Sequence, residues 1–392
     1  MNRRLYLFNP GHDLALANGD ENFNAPVSAR SFAADLATLP VWYALPESVV
    51  WVEAAEADWM RNLLQFFPQL SGISVQVNPD LSEIQSLHPW GWDVSVRKSL
   101  SNIGIADALH PDDLQLDTIR RLSHRRTAVQ AMQFLREDNN LTALLPPPAE
   151  VLSANQIDSF AEKFSSVVFK APWSGSGKGI YWSSGTISES MHGWCRKISG
   201  KQGCIIGEEA YDKVQDFAME FQCENGDVSF AGYSLFHTEQ GVYKNNELMS
   251  DEAIFGRLMQ RWIPAKVLQA VCGQLMVFIK REIASVYTGF LGVDMFVYLR
   301  DGQFRIHPCV EINLRMTMGM VARIFYDRFV HPDKTGVFYI DHFTSAKDLN
   351  ADHMQRLAHS ALEVYDGRIT KGYLSLNPIT NKSHYRARIE IR

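Results

Sequence analysis

Two dipeptides constrain this chain more than any other feature. Asn225-Gly226, inside ENGD, and Asp301-Gly302, inside RDGQ, each stand between two long, largely apolar runs. A two-residue hairpin turn needs positive φ at its central positions, and Asn-Gly and Asp-Gly adopt it most readily. FAMEFQC therefore pairs back on DVSFAGYSL, and GFLGVDMFVYL on FRIHPCVEIN. With CIIGEE, the region from 204 onward reads as an antiparallel sheet. Pro264 opens a long amphipathic helix, AKVLQAVCGQLMVFIKREI, suited to cover one face of it.

The first part of the chain follows another rule. LYLFN, VVWVEA and ISVQVN read as buried strands, while EADWMRNLLQFF and WDVSVRKSLSNIG carry the spacing of amphipathic helices. Strand and helix in alternation predict a small parallel sheet with helical crossovers. Ser123 is placed to cap a further helix, HRRTAVQAMQFLRE, which NNLTALLPPPAE ends. After residue 340 the pattern gives a helix over HMQRLAHSALEVY and two short strands, without a chemical signature.

At 392 residues and 46% hydrophobic composition, the chain can bury a large core in two or three lobes. A formal charge of −6 argues against a protein that wraps nucleic acid. The five cysteines occur singly, without CxxC spacing, and read as reduced thiols. MNRRLYLFNPGHD lacks a signal-peptide core, and charge interrupts the longest apolar run well short of a membrane span. These features predict a cytoplasmic protein that is neither membrane-bound nor nucleic-acid-binding.

Between the two regions lies FKAPWSGSGKGI, residues 169–180. It fails as a Walker loop, because Pro172 holds the first glycine position and Gly179 follows Lys178. It suits a hairpin closing over phosphates. Lys170 ends a strand as a fixed ammonium, Gly175, Gly177 and Gly179 let backbone amides approach, and Ser176 and Lys178 add donors. A glycine hairpin with a solvated lysine is the plainer account, and the loop alone does not decide between them.

The strands supply the second cluster. Asp294 lies in GVDMFV; Glu311 and Asn313, two apart in FRIHPCVEINLR, share a face. Pairing across RDGQ brings Asp294 alongside them. Two carboxylates and an amide oxygen make a hard oxygen site for magnesium, completed by water and nucleotide phosphates. Between the clusters, IIGEEAY and DFAMEF read as a linker whose backbone can meet an adenine edge and whose Glu209 or Asp216 can accept from ribose hydroxyls.

In this order the motifs resemble the ATP-grasp superfamily, in particular the grasp domains of carbamoyl-phosphate synthetases. There an Arg-rich helix start looks like SHRRTAV, GGSGGGI like GSGKGI, an EES…E…E linker like GEEAYDKVQDFAMEF, and E-M-N-P-R like Glu311-Ile-Asn313-Leu-Arg315. The resemblance covers about residues 115 to 325. It implies an α/β (α+β) chain with the ATP-grasp fold behind an N-terminal Rossmann-like parallel-sheet (pre-ATP-grasp) domain. The expected division is 1–112 for that domain, 113–205 for the small lobe with the Gly-rich loop, and 206–392 for the large antiparallel-sheet lobe and C-terminal segment.

The same resemblance implies roles. Arg126 and Lys170 would bind ATP phosphates beneath Ser174, Gly175, Ser176, Gly177 and Lys178. Glu208, Glu209, Tyr211 and Asp216 would hold adenosine. Asp294, Glu311 and Asn313 would ligate Mg2+, with Mn2+ as the substitute ion, and Arg315 would act with Lys170 on the transferring phosphoryl group. The implied activity is an ATP-dependent ligase joining a small-molecule carboxylate, through an acyl phosphate, to an amine or thiol. A small-molecule kinase and a non-catalytic nucleotide-binding protein are the alternatives, and homodimers are common among such ligases. Leu314 stands where the family has proline, and MTMGM after Arg315 is unusually hydrophobic. The acceptor side is open: Asn9, Gly11, His12 and Asp13 follow the first strand, where ligands gather in parallel sheets, but they equally suit a helix cap. His88, Trp90 and Trp92 read as interface packing, and His237 and Lys244 as part of a hairpin near the nucleotide.

Overall fold

The computed structural model describes residues 3–54, 57–175, 179–239 and 242–392. The N-terminal domain runs β1 (Arg3–Leu7), α1 (His12–Asn18), α2 (Val27–Asp35), β2 (Ser48–Trp51), α3 (Ala57–Phe66), β3 (Ile73–Gln76), β4 (Ile84–Pro89) and α4 (Val94–Asn102). Its strands pair in parallel in the order β3-β2-β1-β4. The alternation of strand and helix dictates this, because parallel neighbours need a crossover between them. β4 went unread in the sequence; IQSLHP is polar at three of its first five positions and lacks an apolar run.

Three helices follow: α5 (Asp113–Leu122), α6 (Arg126–Leu135) and α7 (Asn139–Thr142). Asp112 and Gln115 form a capping box on α5. Ser123 does not cap α6 as expected. Its hydroxyl donates to the Ile119 carbonyl at 2.8 Å and closes α5 instead. The small lobe then takes β5 (Glu150–Leu152), α8 (Ile157–Ala161), β6 (Ser166–Lys170), β7 (Ile180–Ser184), α9 (Glu189–Gln202) and β8 (Ile205–Glu209), with antiparallel order β5-β8-β6-β7.

The rest is one large sheet and its helices. β9 (Asp212–Glu224), β10 (Asp227–Glu239), β11 (Val242–Leu248), α10 (Asp251–Arg261), α11 (Ala265–Glu282), β12 (Gly289–Arg300), β13 (Gln303–Asn313) and α12 (Met318–Phe329) come first. Then follow β14 (Gly336–His342), α13 (Ala346–His359), β15 (Glu363–Tyr365), β16 (Arg368–Ser375) and β17 (Tyr385–Ile391). The nine strands run β13-β12-β9-β10-β11-β14-β17-β16-β15. Both expected hairpins form, with Asn225, Gly226, Asp301 and Gly302 all at positive φ. The final helix begins at Ala346 rather than His353, and EVY belongs to β15.

Packing redraws the expected lobe boundaries. Ile119, Met132 and Leu135 of α5 and α6 share a core with Phe217 of β9 and Leu275 of α11, so residues 113–142 lie with the large sheet. The small sheet begins only at Glu150 and takes in β8, past residue 205. A second core joins the N-terminal domain to the C-terminal half of the large sheet. Trp42, fully buried, packs edge-on against Phe67 and against Phe325 and Phe329 of α12, and its Nε1 donates to the Leu376 carbonyl at 2.7 Å. The C-terminal stretch thus clasps the N-terminal domain. Fully buried Arg386 ties β17 to Asp341 of β14 and Asp352 of α13.

One buried carboxyl marks where α12 meets the sheet. Glu220 on β9 is 1% exposed and lies opposite Gly292 of β12 and Gly232 of β10. Thr317 donates its hydroxyl to it, 3.0 Å from each carboxylate oxygen, and accepts from the Met320 amide to cap α12. A side chain at Gly319 would collide with Glu220 and Ser234, so only glycine lets the helix sit this low. Burial, and then the charge of Asp294, push the Glu220 carboxyl up to about 8. A carboxyl raised on folding stabilises the fold below its unfolded pKa and loses that contribution as pH rises through the folded value. Between about pH 5 and pH 9, wild type is expected to lose roughly 2–4 kcal/mol of stability that Glu220→Gln retains. Denaturant unfolding of both proteins at the two pH values checks this, and equal losses would refute it.

Candidate active site

The edge of the large sheet carries the acidic cluster. β12 and β13 pair so that Asp294 faces Glu311 and Gly292 faces Asn313. A bulge between Asp294 and Phe296 sets this register, in the stretch where Pro308, unable to donate to the ladder, sits in the edge strand. Asn313 donates to Asp294 at 3.1 Å. Burial, and then the charge of Glu311, push the Asp294 carboxyl up to about 7. Two carboxyls so placed lack a cation between them.

Two guanidiniums approach from different parts of the chain. Arg125, at the start of α6, donates to Glu311 at 2.8 Å, to the Ala171 carbonyl at 2.5 Å and to the Ser174 hydroxyl at 2.7 Å. Its backbone amide donates to the Pro172 carbonyl at 3.0 Å, so the glycine loop and α6 hold each other. Arg315 donates from two nitrogens to the two oxygens of Asp13, at 2.9 Å each, and to the Asn313 side-chain oxygen at 3.1 Å. Burial alone would raise the Asp13 carboxyl, but the charge and hydrogen bonds of Arg315 outweigh it and hold it below the usual range. Gly175 presses on the same aspartate; a Cβ there would collide with it.

Behind Arg125 a narrow cleft opens between the small sheet and β13, lined by Lys170, Ile206 and Glu208 on one side and Cys309 and Val310 on the other. Lys170 is 6% exposed and pairs with Glu208. Nε2 of buried His307 lies 2.7 Å from the other Glu208 oxygen, without hydrogen-bond alignment. Burial opposes the charge on Glu208, but Lys170 and then His307 overcome it and hold the carboxyl far below its ordinary value. Nε of Arg125 and Nδ1 of His307 are buried without a hydrogen-bond partner among the described residues. Orphaned donors at a lobe junction suit a ligand rich in acceptors.

The structure therefore brings Lys170, Ser174, Glu208, Asp294, Glu311, Asn313 and Arg315 to one region. Arg126 is turned away. It is exposed beside Cys204 and His124, and Arg125 takes the inward position expected of it, because adjacent helical residues project about 100° apart. Glu209 pairs with Arg300, and Asp216 accepts from Lys213 at 2.8 Å and from Thr238 at 2.6 Å. Tyr211 packs on Phe296, Tyr298 and His307. Ser176, Gly177 and Lys178 lie outside the described residues. His237 contacts Glu247 and Lys244 contacts Glu239, both on exposed surface. His88 sits within β4, stacked on Tyr6, and burial lowers its pKa to about 4. Arg125, His307 and Trp173 went unread in the sequence. Only the doubled arginine of SHRR gave a signal, and it did not say which one turns inward.

No protein-family model matches the sequence, and no curated protein matches it. Solved structures do match along nearly the whole chain. N5-carboxyaminoimidazole synthetase from Staphylococcus aureus, complexed with ADP, is similar at 12% identity and TM-score 0.50, covering 98% of this chain and 92% of its own. A biotin carboxylase–βγ-ATP complex from Campylobacter jejuni is similar at 12% identity and TM-score 0.51, with 100% and 87% covered. The biotin carboxylase domain of Hydrogenobacter thermophilus 2-oxoglutarate carboxylase, a dimer with MgADP, ADP and bicarbonate, is similar at 11% identity and TM-score 0.50, with 100% and 85% covered. Parallel N-terminal sheet, small antiparallel lobe and large antiparallel sheet recur in this chain in the same order. The chain thus has the ATP-grasp fold of these structures.

Proposed function

We propose that this protein is an ATP- and Mg2+-dependent ligase, activating a small-molecule carboxylate as an acyl phosphate for attack by an amine or thiol. One observation carries the reading. Cationic Lys170 and Arg125 converge on the same lobe junction as the oxygen donors Asp294, Glu311 and Asn313. The neighbours hold ADP, MgADP or ATP in the same fold, which supports the nucleotide assignment.

The donor set fits magnesium. Among the described residues no three His, Cys, Asp or Glu side chains converge, so the chain offers two carboxylates and an amide and leaves other positions to water and phosphate oxygens. Asp294, pushed up by burial and then by the charge of Glu311, gains most from a cation. When bound, the ion would offset phosphate charge; manganese suits the same donors. Lys170 and the orphaned Arg125 Nε would hold phosphate oxygens, His307 would donate in the nucleotide cavity, and Arg315 would face the reacting group. Two unit charges about 4 Å apart interact by roughly 4 kcal/mol at an effective dielectric near 20, so positioning and charge neutralisation carry the chemistry.

Among the described residues no helix is long and apolar enough to cross a membrane, and all five cysteines are free. We read the protein as cytoplasmic, and as a homodimer by analogy with the dimeric neighbour.

Incubation with ATP, Mg2+ and a pooled amino-acid and organic-acid library is expected to release phosphate. ADP without free phosphate would select a kinase instead, and no ATP consumption would overturn both. Asp294→Ala or Glu311→Ala is expected to lower turnover at least about 1,000-fold with an unchanged circular dichroism spectrum, the scale of losing charge stabilisation at a reacting centre. Near-wild-type Mg2+-dependent turnover in either variant would remove the metal assignment. Lys170→Ala is expected to weaken ATP binding by at least about 10-fold in calorimetric titration, the loss of one charge-assisted contact. Unchanged affinity would exclude that lysine from the site.

A further inference from the structure

A second cleft, open to solvent, lies further along β13. Its walls are His12 and Asp13 from the N-terminal domain, Trp173 and Ser174 from the glycine loop, and Glu311 and Asn313 from β13. His12 is 1% exposed, and its Nδ1 lies 3.3 Å from Oδ2 of Asp93. Asp93 caps α4 with its other oxygen, accepting from the Ser95 and Val96 amides at 2.9 Å each and from the Ser95 hydroxyl at 2.6 Å. Oδ2 is thus left to the imidazole, and no lysine or arginine pairs with Asp93 among the described residues. Gly91 lies flat on the ring; a Cβ there would come within 2.6 Å of it, so the ring is fixed in place.

His12 engages one ring nitrogen. Its Nε2 has no hydrogen-bond partner among the described residues, and the ring borders the cleft. A carboxylate fixing Nδ1–H leaves Nε2 as the proton acceptor. The lining holds the carboxylates of Asp13 and Glu311, paired with Arg315 and Arg125, and the amide of Asn313, and among the described residues no lysine or arginine is part of it. These oxygens can accept hydrogen bonds from an ammonium and offer nothing specific to a thiol.

We infer that this cleft binds a small primary amine and that Nε2 of His12 takes the amine's proton, with Asp93 as the positioning residue. The assignment rests on the ligase reading above. Nε2 takes one proton from the ammonium, and the freed amine nitrogen attacks the carbonyl carbon of the acyl phosphate as the C–N bond forms. The bond from that carbon to the phosphate oxygen breaks, phosphate leaves with the electron pair, and the second proton on nitrogen departs with the phosphate. The product is an amide, with inorganic phosphate and an imidazolium paired to Asp93.

The test compares two acceptors with the pooled organic acids, ATP and Mg2+: the pooled amino acids, which carry a proton to be removed, and hydroxylamine, which is neutral near pH 7 and needs no base. In His12→Gln the ratio of amide to hydroxamate product is expected to fall at least about 100-fold, the scale of one acid–base group. Asp93→Asn, which keeps the oxygen that caps α4, is expected to lower the same ratio by at least about 10-fold. A merely structural role would depress both products together and leave the ratio unchanged, and that result overturns the assignment. A wild type that forms hydroxamate but accepts only thiols also overturns it while leaving the ligase reading intact. A wild type silent with both acceptors overturns the two together.

Discussion

Asp13 and Arg315 stand 302 residues apart, and their paired hydrogen bonds fix the relation between the first domain and the end of β13, an edge strand of the large sheet. Two parallel N–H···O bonds hold orientation as well as distance. The backbone reinforces the tie one residue later, where the Met316 amide donates to the Trp90 carbonyl at 2.9 Å. Everything near the cleft depends on this junction. Gly175 rests against Asp13, Ser174 rests against Arg125, and Arg125 rests against Glu311. A buried guanidinium without its carboxylate is costly, so the pair is a condition of closing the cleft rather than an ornament on it.

The charges around the cleft form an ordered set rather than a patch. Lys170 is matched by Glu208, Arg315 by Asp13, and Arg125 by Glu311. Asp294 and Glu220 are left over, and burial raises both towards neutrality. They occupy the same face of the sheet, Asp294 opposite Ala218 and Glu220 two residues further along β9. The surplus of acid is therefore local, and it lies where the proposed cation would sit.

Much of this was legible in the sequence. Asn225-Gly226 and Asp301-Gly302 each admit essentially one turn, and the second turn puts Asp294 and Glu311 on neighbouring strands and on one face, while the bulge between Asp294 and Phe296, which the sequence does not announce, sets them directly opposite each other. The glycine loop and its lysine were legible for the same reason, since β6 and β7 are neighbours in chain and in space. What escaped reading was tertiary. Nothing local distinguishes Arg125 from Arg126, because helix phase decides and the phase is set by packing of Ala128 and Met132 into the core. α12 was missed because its burial extends all round, with eight of its residues buried and no polar stripe to betray a period. Glu220 reads as one more alternating polar residue until α12 is laid across it.

The departures from the family pattern have a shared cause. Leu314, where proline is usual, is buried in the core beneath the large sheet, while Met316 and Met320 fill the second core with Trp42 and Trp90. Between them Thr317 turns the other way, to cap α12 and hold Glu220. The hydrophobic MTMGM segment is thus a hinge plate joining the N-terminal domain to the sheet. Its small member, Gly319, sets how deeply the helix seats. At 12% identity to its neighbours the chain keeps their fold, which depends on pattern rather than on particular side chains. The seam is where particular side chains matter, and it forms the floor beside the second cleft.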